Sequence, residues 1–412
     1  MTCARAAGAY QKEWVRGLRD RILGGEPFAF VNADTPHEIF HFMDVPMVTN
    51  QWWSALIAAK QLAPHYFDRM AEMGFHHHLP RYSSLPLIAA LENDPEKQPW
   101  GGLPAPSLLC ARQSSDEHQK IFQLWSEATG APLHLFSAPA VPDPAPNWFD
   151  DAREDWEEFY GTNRLDLTVA EIETLIAALE DLTGSSFDRD GFAAYMDAID
   201  RQERIMGEVA DLIASAPKCP MRIGEQMPNV MIPQWHRGSD WALSHAQAFK
   251  DEVTDRIARQ DWVCPDERIR MMWIGAGLWF DTSFYTAFEV THGAVFSWSM
   301  YLPFAADGYI RKDHGDPIRA LAARISAMNE QLHQPPWISS WMVHEAKRNR
   351  IDAALMLVPE HDRFSGLGTK FAKHALEAEG VKVIEICSDM VDPRDWDRDA
   401  MVAQVSGALD AM

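Results

Sequence analysis

Cysteines are few in this chain, and no two of them lie close together. The 412 residues include five cysteines, and no CxxC pair occurs. An odd number of widely spaced cysteines argues against a disulfide framework, which needs paired thiols. The spacing also argues against a zinc ribbon, whose ligands come in close pairs. The five positions are Cys3, Cys110, Cys219, Cys264 and Cys387.

Basic residues are outnumbered, and long apolar runs are missing. The chain has 37 Lys and Arg against 60 Asp and Glu, a net charge of −23. Such a chain repels phosphate backbones, so we expect no nucleic-acid partner. No run approaches the roughly 18 apolar residues of a membrane helix, so we expect no membrane partner. Residues 1–22 carry charges throughout and lack the apolar region of a signal peptide, so we expect a cytoplasmic location.

Common nucleotide and hydrolase motifs are also missing. IGAG (274–277) and GLG (366–368) are not a GxGxxG fingerprint, and there is no Walker A or GxSxG motif. HEIFH (37–41) matches the letters of HExxH, but the predicted helix is short, begins at a proline and has no evident third ligand. We therefore interpret it as a structural helix face.

Short apolar segments alternate with helical patterns in both halves of the chain. This alternation predicts parallel sheets with crossover helices. The pattern predicts one helix over residues 51–73. It predicts two further helices, at 168–183 and 187–215, which form an insertion, and an irregular connection over the proline-rich segment 217–240. We predict an α/β fold of two Rossmann-like lobes with parallel sheets and a helical insertion. The expected domains are 1–150, 151–262 and 263–412.

Polar residues stand at the predicted carboxyl ends of two strands, where open α/β sheets bind ligands. Cys110 ends the predicted strand 106–111, and Glu360 and His361 follow the predicted strand 351–359. His78 closes a run of three histidines in a loop. The alternatives are a buried small residue for Cys110, a turn for 360–362 and a packed or solvated loop for the histidines.

Four segments resemble, in order, the 2-hydroxyacyl-CoA dehydratase/benzoyl-CoA reductase family. Segment 28–48 is similar to its opening strand–helix–strand, and 108–139 to the unit in which a cluster-ligating cysteine ends a strand. Segment 268–298 resembles the unit that opens its last lobe, and 350–396 its closing unit. The resemblance implies Rossmann-like lobes, a CoA-thioester substrate and a homologous partner subunit in a heterodimer or larger assembly.

The family's usual cofactor is where this sequence departs from the pattern. The resemblance implies a 4Fe–4S cluster held by three cysteines and a single electron delivered by an ATP-dependent activator protein, which makes a ketyl radical. Only Cys110 matches a ligand. No cysteine stands near residues 78–82, and His361 stands where the third would fall. One thiolate cannot hold such a cluster, so we expect none in this chain.

Several hypotheses follow for the site. In one, His78, Cys110 and His361 bind a single Zn²⁺ or Fe²⁺ with an open position. In another, His78, Glu360 or His361 carries protons while backbone N–H groups polarise the thioester carbonyl. We favour the interpretation that the chain acts in one of these two ways, as a subunit of an acyl-CoA hydratase or dehydratase. The alternatives are a non-catalytic subunit that supports a catalytic homologue, and a reductive dehydratase or aryl-CoA reductase subunit with an unusual cluster.

Tryptophan is abundant, with 16 residues in the chain. Aromatic side chains can line a pocket for an aromatic acyl group, although core filling is the alternative interpretation. The predicted substrate-binding residues are Trp52, Trp53, Tyr82, Trp279 and Trp298.

Overall fold

The computed structural model describes residues 1–76, 79–139, 148–151, 155–302, 315–333, 337–362, 366 and 368–412. Within these ranges, strands form two sheets in which every pairing is parallel. The first sheet has the order β2-β1-β3-β4 and the second β6-β5-β7-β8, so both lobes share one strand order. This confirms the predicted α/β fold of two Rossmann-like lobes. The strands are β1 (Ala29–Val31), β2 (Met47–Thr49), β3 (Leu108–Arg112), β4 (Leu133–Phe136), β5 (Ile269–Ile274), β6 (Ala294–Ser299), β7 (Ala353–Pro359) and β8 (Lys382–Ser388).

Helices connect the strands and cover both faces of the sheets. The helices of the first part are α1 (Thr2–Leu23), α2 (His37–Phe42), α3 (Asn50–Ala59), α4 (Ala63–Glu72), α5 (Arg81–Glu92), α6 (Asp116–Thr129), α7 (Trp148–Asp151) and α8 (Trp156–Tyr160). Those that follow are α9 (Thr162–Thr183), α10 (Arg189–Ser215), α11 (Ile223–Trp235), α12 (Asp240–Ala258), α13 (Glu289–His292), α14 (Pro317–His333), α15 (Trp337–Arg348), α16 (Thr369–Ala378) and α17 (Arg398–Asp410). Short 3₁₀ turns span Pro95–Lys97, Pro99–Gly101 and Thr282–Thr286. No helix in the described ranges has an apolar stretch long enough to cross a membrane.

Alternating side chains give each sheet two buried faces. In the first sheet, Phe30 and Leu109 face one hydrophobic core, whereas Val31 and Cys110 face the other. Successive residues of a strand point to opposite faces, so this division follows from the pleat. Because both faces are buried, the strands read as continuous apolar runs rather than alternating ones. The second sheet divides in the same way, with Met271 and Trp273 in the first core and Met272 and Ile274 in the second.

The N-terminal helix packs on the helical insertion. α1 contacts α11 and α12. The terminal ammonium of Met1 lies 2.9 Å from Glu225, and the Tyr10 ring stacks on Trp241 at 3.6 Å between centroids. These contacts place α1 beside the insertion in space. The three predicted domains and their boundaries remain predictions.

Candidate active site between the lobes

The carboxyl ends of the two sheets meet at the boundary between the lobes. Arg81, the first residue of α5, donates hydrogen bonds to Asp392 at 2.8 Å and Asp389 at 3.4 Å, just after β8. Gln61, between α3 and α4, donates to the carbonyl of Phe280 at 2.9 Å. In open parallel sheets, ligands bind at the carboxyl edge where the strand order reverses. We call this region, bounded by the carboxyl edges of both sheets, the interlobe cleft.

A histidine lies in the interlobe cleft at the start of α6. The hydroxyl of Ser115 accepts a hydrogen bond from the backbone N–H of His118 and caps the helix, which ends at the left-handed Gly130. The imidazole Nε2 of His118 lies 2.7 Å from Oγ of Ser83, in α5. Its Nδ1 lies 3.4 Å from Oγ of Ser114. Hydroxyls from two elements therefore hold the ring, and both His118 and Ser83 are buried.

Two carboxylates act on this imidazole from opposite lobes. Asp34 follows β1, Asp362 follows β7, and both are buried. Burial lowers the pKa of His118, because it disfavours the charged ring, whereas the negative charges of Asp34 and Asp362 oppose that shift. The lowered pKa favours the neutral imidazole, which is the form that accepts a proton.

Unsatisfied polar atoms lie at the end of β1. Both amide atoms of Asn32, a residue with 0% exposure, lack a hydrogen-bond partner in the described part of the chain. Oδ2 of Asp34 is likewise buried without a partner there. Buried polar groups are nearly always paired, since leaving one unpaired costs about 1–3 kcal/mol. Asn32 and Asp34 are therefore buried polar residues whose hydrogen bonding is incomplete in the described part of the chain.

Aromatic side chains cross the lobe boundary near these groups. The Tyr82 hydroxyl donates to the backbone carbonyl of Gln51 at 2.9 Å, and its ring lies nearly parallel to that of Trp279, at 6.5 Å between centroids. Trp52, in the first turn of α3, follows Gln51 and is partly buried. Three of the five predicted substrate-binding aromatics therefore lie at or near the boundary.

A comparison with known protein families shows which family this chain belongs to. Residues 32–410 match the family described as 2-hydroxyglutaryl-CoA dehydratase, D-component. The chain belongs to this family. Membership makes it a subunit of a dehydratase-type acyl-CoA enzyme complex. No curated protein matches the chain.

The three segments that the resemblance assigns to cluster ligands converge in this D-component chain. Ser83 adjoins residues 78–82, His118 belongs to the unit that contains Cys110, and Asp362 is the neighbour of His361. Ser83 contacts His118 directly, and Asp362 acts on it electrostatically. The groups that meet are thus a hydroxyl, an imidazole and a carboxylate, none of which the sequence analysis selected.

The residues predicted from the sequence lie around this convergence. Cys110 is the middle residue of β3, paired with Val31 and His134, so the prediction that its strand ends there was wrong. The Cys110 thiol is completely buried, and burial raises its pKa well above the usual range. His361 has a buried Nδ1 without a partner in the described residues, and Glu360 is exposed.

Three other residues, His78, Trp53 and Trp298, were predicted to bind a metal ion or the substrate. His78 lies outside the described residues, so the metal set of His78, Cys110 and His361 remains a hypothesis. Trp53 packs in the first core near Phe30, and Trp298 packs in the second near Trp341. Their role in binding substrate stays a prediction.

The cysteines do not fit the cofactor that D-component proteins are expected to hold. A cluster of this kind needs several thiolates at one place. Cys219 and Cys264 share a small core with Val295, while Cys387 is exposed on β8. Cys3 lies in α1 and Cys110 inside β3. The five positions therefore do not supply three converging thiolates, and within the described residues no group of three His, Cys, Asp or Glu side chains suits a metal ion.

Proposed function

We propose that this chain is a subunit of an acyl-CoA lyase of the hydratase or dehydratase type, which acts by acid–base chemistry without a 4Fe–4S cluster of its own. One observation carries the proposal. In the interlobe cleft, the three segments that correspond to the cluster ligands bring together Ser83, His118 and Asp362. Family membership supports the thioester substrate and a homologous partner subunit.

A thioester substrate suits acid–base chemistry of this kind. The carbonyl acidifies the neighbouring C–H bond, so a neutral base can remove that proton, and a positioned base contributes typically 10²–10⁴-fold to the rate. Burial in the cleft excludes water and strengthens each electrostatic interaction with the reacting atoms. Addition or loss of water then needs no electron from outside.

The deciding experiment is anaerobic purification of the chain, alone and with a homologous family subunit, followed by iron and sulfide analysis and a visible spectrum. The purified complex is then assayed with hydroxyacyl-CoA and enoyl-CoA esters, without ATP or an activator. We expect an iron-free chain and a complex that adds or removes water. About four irons in this chain, or a partner that is fully active without it, would overturn the proposal.

A matched substitution sharpens this experiment. Cys110→Ala removes the only cysteine that the resemblance aligns with a cluster ligand, while leaving Ser83 and His118 in place. We expect the folded variant to keep its turnover, because the Cys110 thiol lies inside the sheet. Loss of turnover together with loss of bound metal would instead support a metal centre that includes Cys110.

A further inference from the structure

We infer that Cys219 and Cys264 form a disulfide bond when the chain meets a small peroxide, and that this bond fastens the base of the hairpin made by α11 and α12. Both cysteines contact Val295 or its neighbours near the beginning of β6, away from the carboxyl edge of the second sheet. Neither takes part in the proposed acid–base chemistry, so the disulfide stands or falls separately from it.

The two cysteines lie close together although the whole hairpin separates them in the sequence. The backbone N–H of Val263 donates a hydrogen bond to the carbonyl of Cys219 at 3.0 Å, and Cys264 is the next residue. Both side chains belong to one small hydrophobic core with Val263 and Val295, and both thiols are free. Neighbouring extended segments that share a backbone hydrogen bond lie about 4.7–4.9 Å apart. A disulfide needs α-carbons about 4.4–6.8 Å apart, so this arrangement suits a bond between the two sulfur atoms.

The two thiols differ in their access to a small reagent. Cys264 is 7% exposed and is followed by exposed residues at 265 and 266, whereas Cys219 is completely buried. Burial also raises the pKa of Cys219 to about 12, so its thiol rarely ionises. Because the thiolate is the reactive form, Cys264 reacts first and Cys219 supplies the second sulfur.

Neither sulfur is held by a strong contact. Each thiol donates a hydrogen bond to a backbone carbonyl, Cys219 to that of Met221 at 3.1 Å and Cys264 to that of Glu289 at 3.3 Å. The S–H group is a weak donor, so these contacts oppose a small movement only weakly. Both cysteines also lie in irregular segments, between α10 and α11 and between α12 and β5. The sulfur atoms can therefore turn toward each other without breaking a helix or a strand.

The bond forms in two balanced steps with hydrogen peroxide as the oxidant. The Cys264 thiolate attacks one oxygen of the peroxide, the O–O bond breaks, and the sulfur becomes a sulfenic acid. The hydroxide that leaves takes up the proton of Cys264 and becomes water. The Cys219 sulfur then displaces the hydroxyl group from the sulfenic acid, and its proton leaves with that group as a second water. Two electrons have passed from the sulfurs to the peroxide oxygens.

The hairpin that this bond closes connects the two lobes. At its far end, Trp235 shares a small core with Ala33, which follows β1, and Arg237 pairs with Glu38 of α2 at 2.6 Å. Its base contacts the second lobe through Val295 of β6. A bond across the base therefore limits the movement of an element that contacts both lobes.

The test is a disulfide map of the full chain, purified without air under reducing conditions and then treated with hydrogen peroxide. Free thiols are blocked with iodoacetamide, and trypsin releases Cys219 in peptide 219–222 and Cys264 in peptide 260–268. We expect mass spectrometry to find these two peptides joined and dithiothreitol to separate them. If both thiols can still be alkylated after unfolding, or if either is joined to another cysteine, the inference is overturned.

Single substitutions test the order of the two steps. Cys387→Ser changes the exposed cysteine of β8 and is the matched control, which should leave the joined peptides in place. Cys219→Ser should stop the reaction at the sulfenic acid, which dimedone traps on Cys264. Cys264→Ser should leave Cys219 unoxidised, and rapid oxidation of Cys219 in this variant would contradict the order. The map of the unsubstituted chain decides the existence of the bond even if a variant does not fold.

Hydrogen exchange measures what the bond does to the hairpin. We expect oxidation to slow amide exchange in residues 223–258 by about tenfold or more, because a cross-link removes open conformations, and dithiothreitol to reverse this change. Residues 398–410, in α17, serve as the internal control and should exchange equally in both forms. Equal exchange of the hairpin in the joined and reduced forms would show that the bond does not fasten it.

Discussion

The Arg81 guanidinium lies 2.8 Å from the carboxylate of Asp392 and joins α5 of the first lobe to the segment after β8 of the second. Asp392 is buried and also pairs with Arg394, which reaches Asp68 on α4. Ser83 lies two residues after Arg81 in the same helical turn. The ion pair therefore fixes the turn that presents the Ser83 hydroxyl to His118.

Replacing Arg81 with Gln is expected to loosen the lobe boundary. Asp392 keeps Arg394 as a partner, so we expect a loss of about 1–3 kcal/mol, concentrated in α5. Hydrogen exchange followed by mass spectrometry should show faster exchange in residues 81–92. The control is Lys250→Gln, which breaks a more exposed ion pair with Glu208. Unchanged exchange in α5 would show that Arg81 does not hold this boundary.

A buried ionic cluster predicts a large effect on stability. Glu38 of α2 accepts hydrogen bonds from Arg237, at 2.6 Å, and from Arg324 of α14, and all three side chains are buried. Glu38→Gln removes the buried counter-charge of Arg237 and leaves Arg324 with the more distant carboxylate of Glu203, at 3.9 Å, which we expect to cost about 3–5 kcal/mol. Glu173→Gln, which breaks an exposed pair with Arg189, should cost less than about 1 kcal/mol. Urea unfolding measures both, and equal losses would contradict the importance of burial.

Three histidines with lowered pKa values, His37, His41 and His236, predict a loss of stability in mild acid. Burial lowers the pKa of His37 and His41 to about 4 and that of His236 to about 3. The unfolded chain binds these protons near pH 6.5, whereas the folded chain does not, so stability falls as the pH drops below about 6.5. At pH 5.5 each histidine should contribute roughly 1 kcal/mol of this loss.

The measurement for this prediction is the urea midpoint at pH 7.5 and pH 5.5. His236→Gln removes one of the three groups while keeping a polar partner for Gln11, which lies 2.7 Å from the His236 ring. The variant should show a smaller drop between the two pH values. An identical drop would mean that His236 titrates normally in the folded chain.

The cysteines should differ sharply in their reaction with a thiol reagent. Cys387 is exposed, whereas Cys110 and Cys219 are completely buried, and burial raises the pKa of Cys219 to about 12. Only the thiolate reacts, so we expect one fast-reacting thiol in the native chain and five in urea. Cys387→Ser should abolish the fast phase. A fast phase that survives this substitution would contradict the described burial.

Much of the fold could be predicted from the sequence, because buried parallel strands give continuous apolar runs between helical patterns. For residues 51–73, however, the sequence pattern predicted one helix, whereas the structure has two, α3 and α4. The break lies at Gln61, which has a φ of 59° and donates to Phe280 in the other lobe. The sequence does carry a local signal for this break, because Pro64 stands in the first turn of α4, and a proline inside a helical pattern usually ends or kinks the helix.

Prolines misled the interpretation of residues 217–240. The prediction was an irregular connection, but the structure has α11, with Pro228 and Pro233 inside the helix. Proline in a helix interior costs about 3 kcal/mol. The helix buries Ile223, Val230 and Trp235, and this packing offsets the cost. Tertiary packing therefore outweighs the low helix propensity of proline here. The sequence pattern does not show that packing.

The candidate site described from the structure lies at the same edge of the sheets as the residues predicted from the sequence, but it is built from their neighbours, and the predicted site residues remain predictions. Cys110 was selected because it matches a cluster ligand of the family. However, β3 continues to Arg112, and the interlobe cleft begins after that residue. His118 looked like an ordinary position of an amphipathic helix. One signal could have found it, because Ser115 is a recognisable helix cap directly after a strand, and the first turn of such a helix lies at the ligand-binding edge.

The position of His118 between the lobes links its protonation to their contact. Separation of the lobes would take away the charge of Asp362, but it would also end the burial of the ring, which lowers its pKa more than the carboxylates raise it. By thermodynamic reciprocity, a proton on the ring would weaken the contact between the lobes by the same free energy. Protonation of His118 and separation of the lobes would therefore be linked equilibria, and each could be followed by measuring the other.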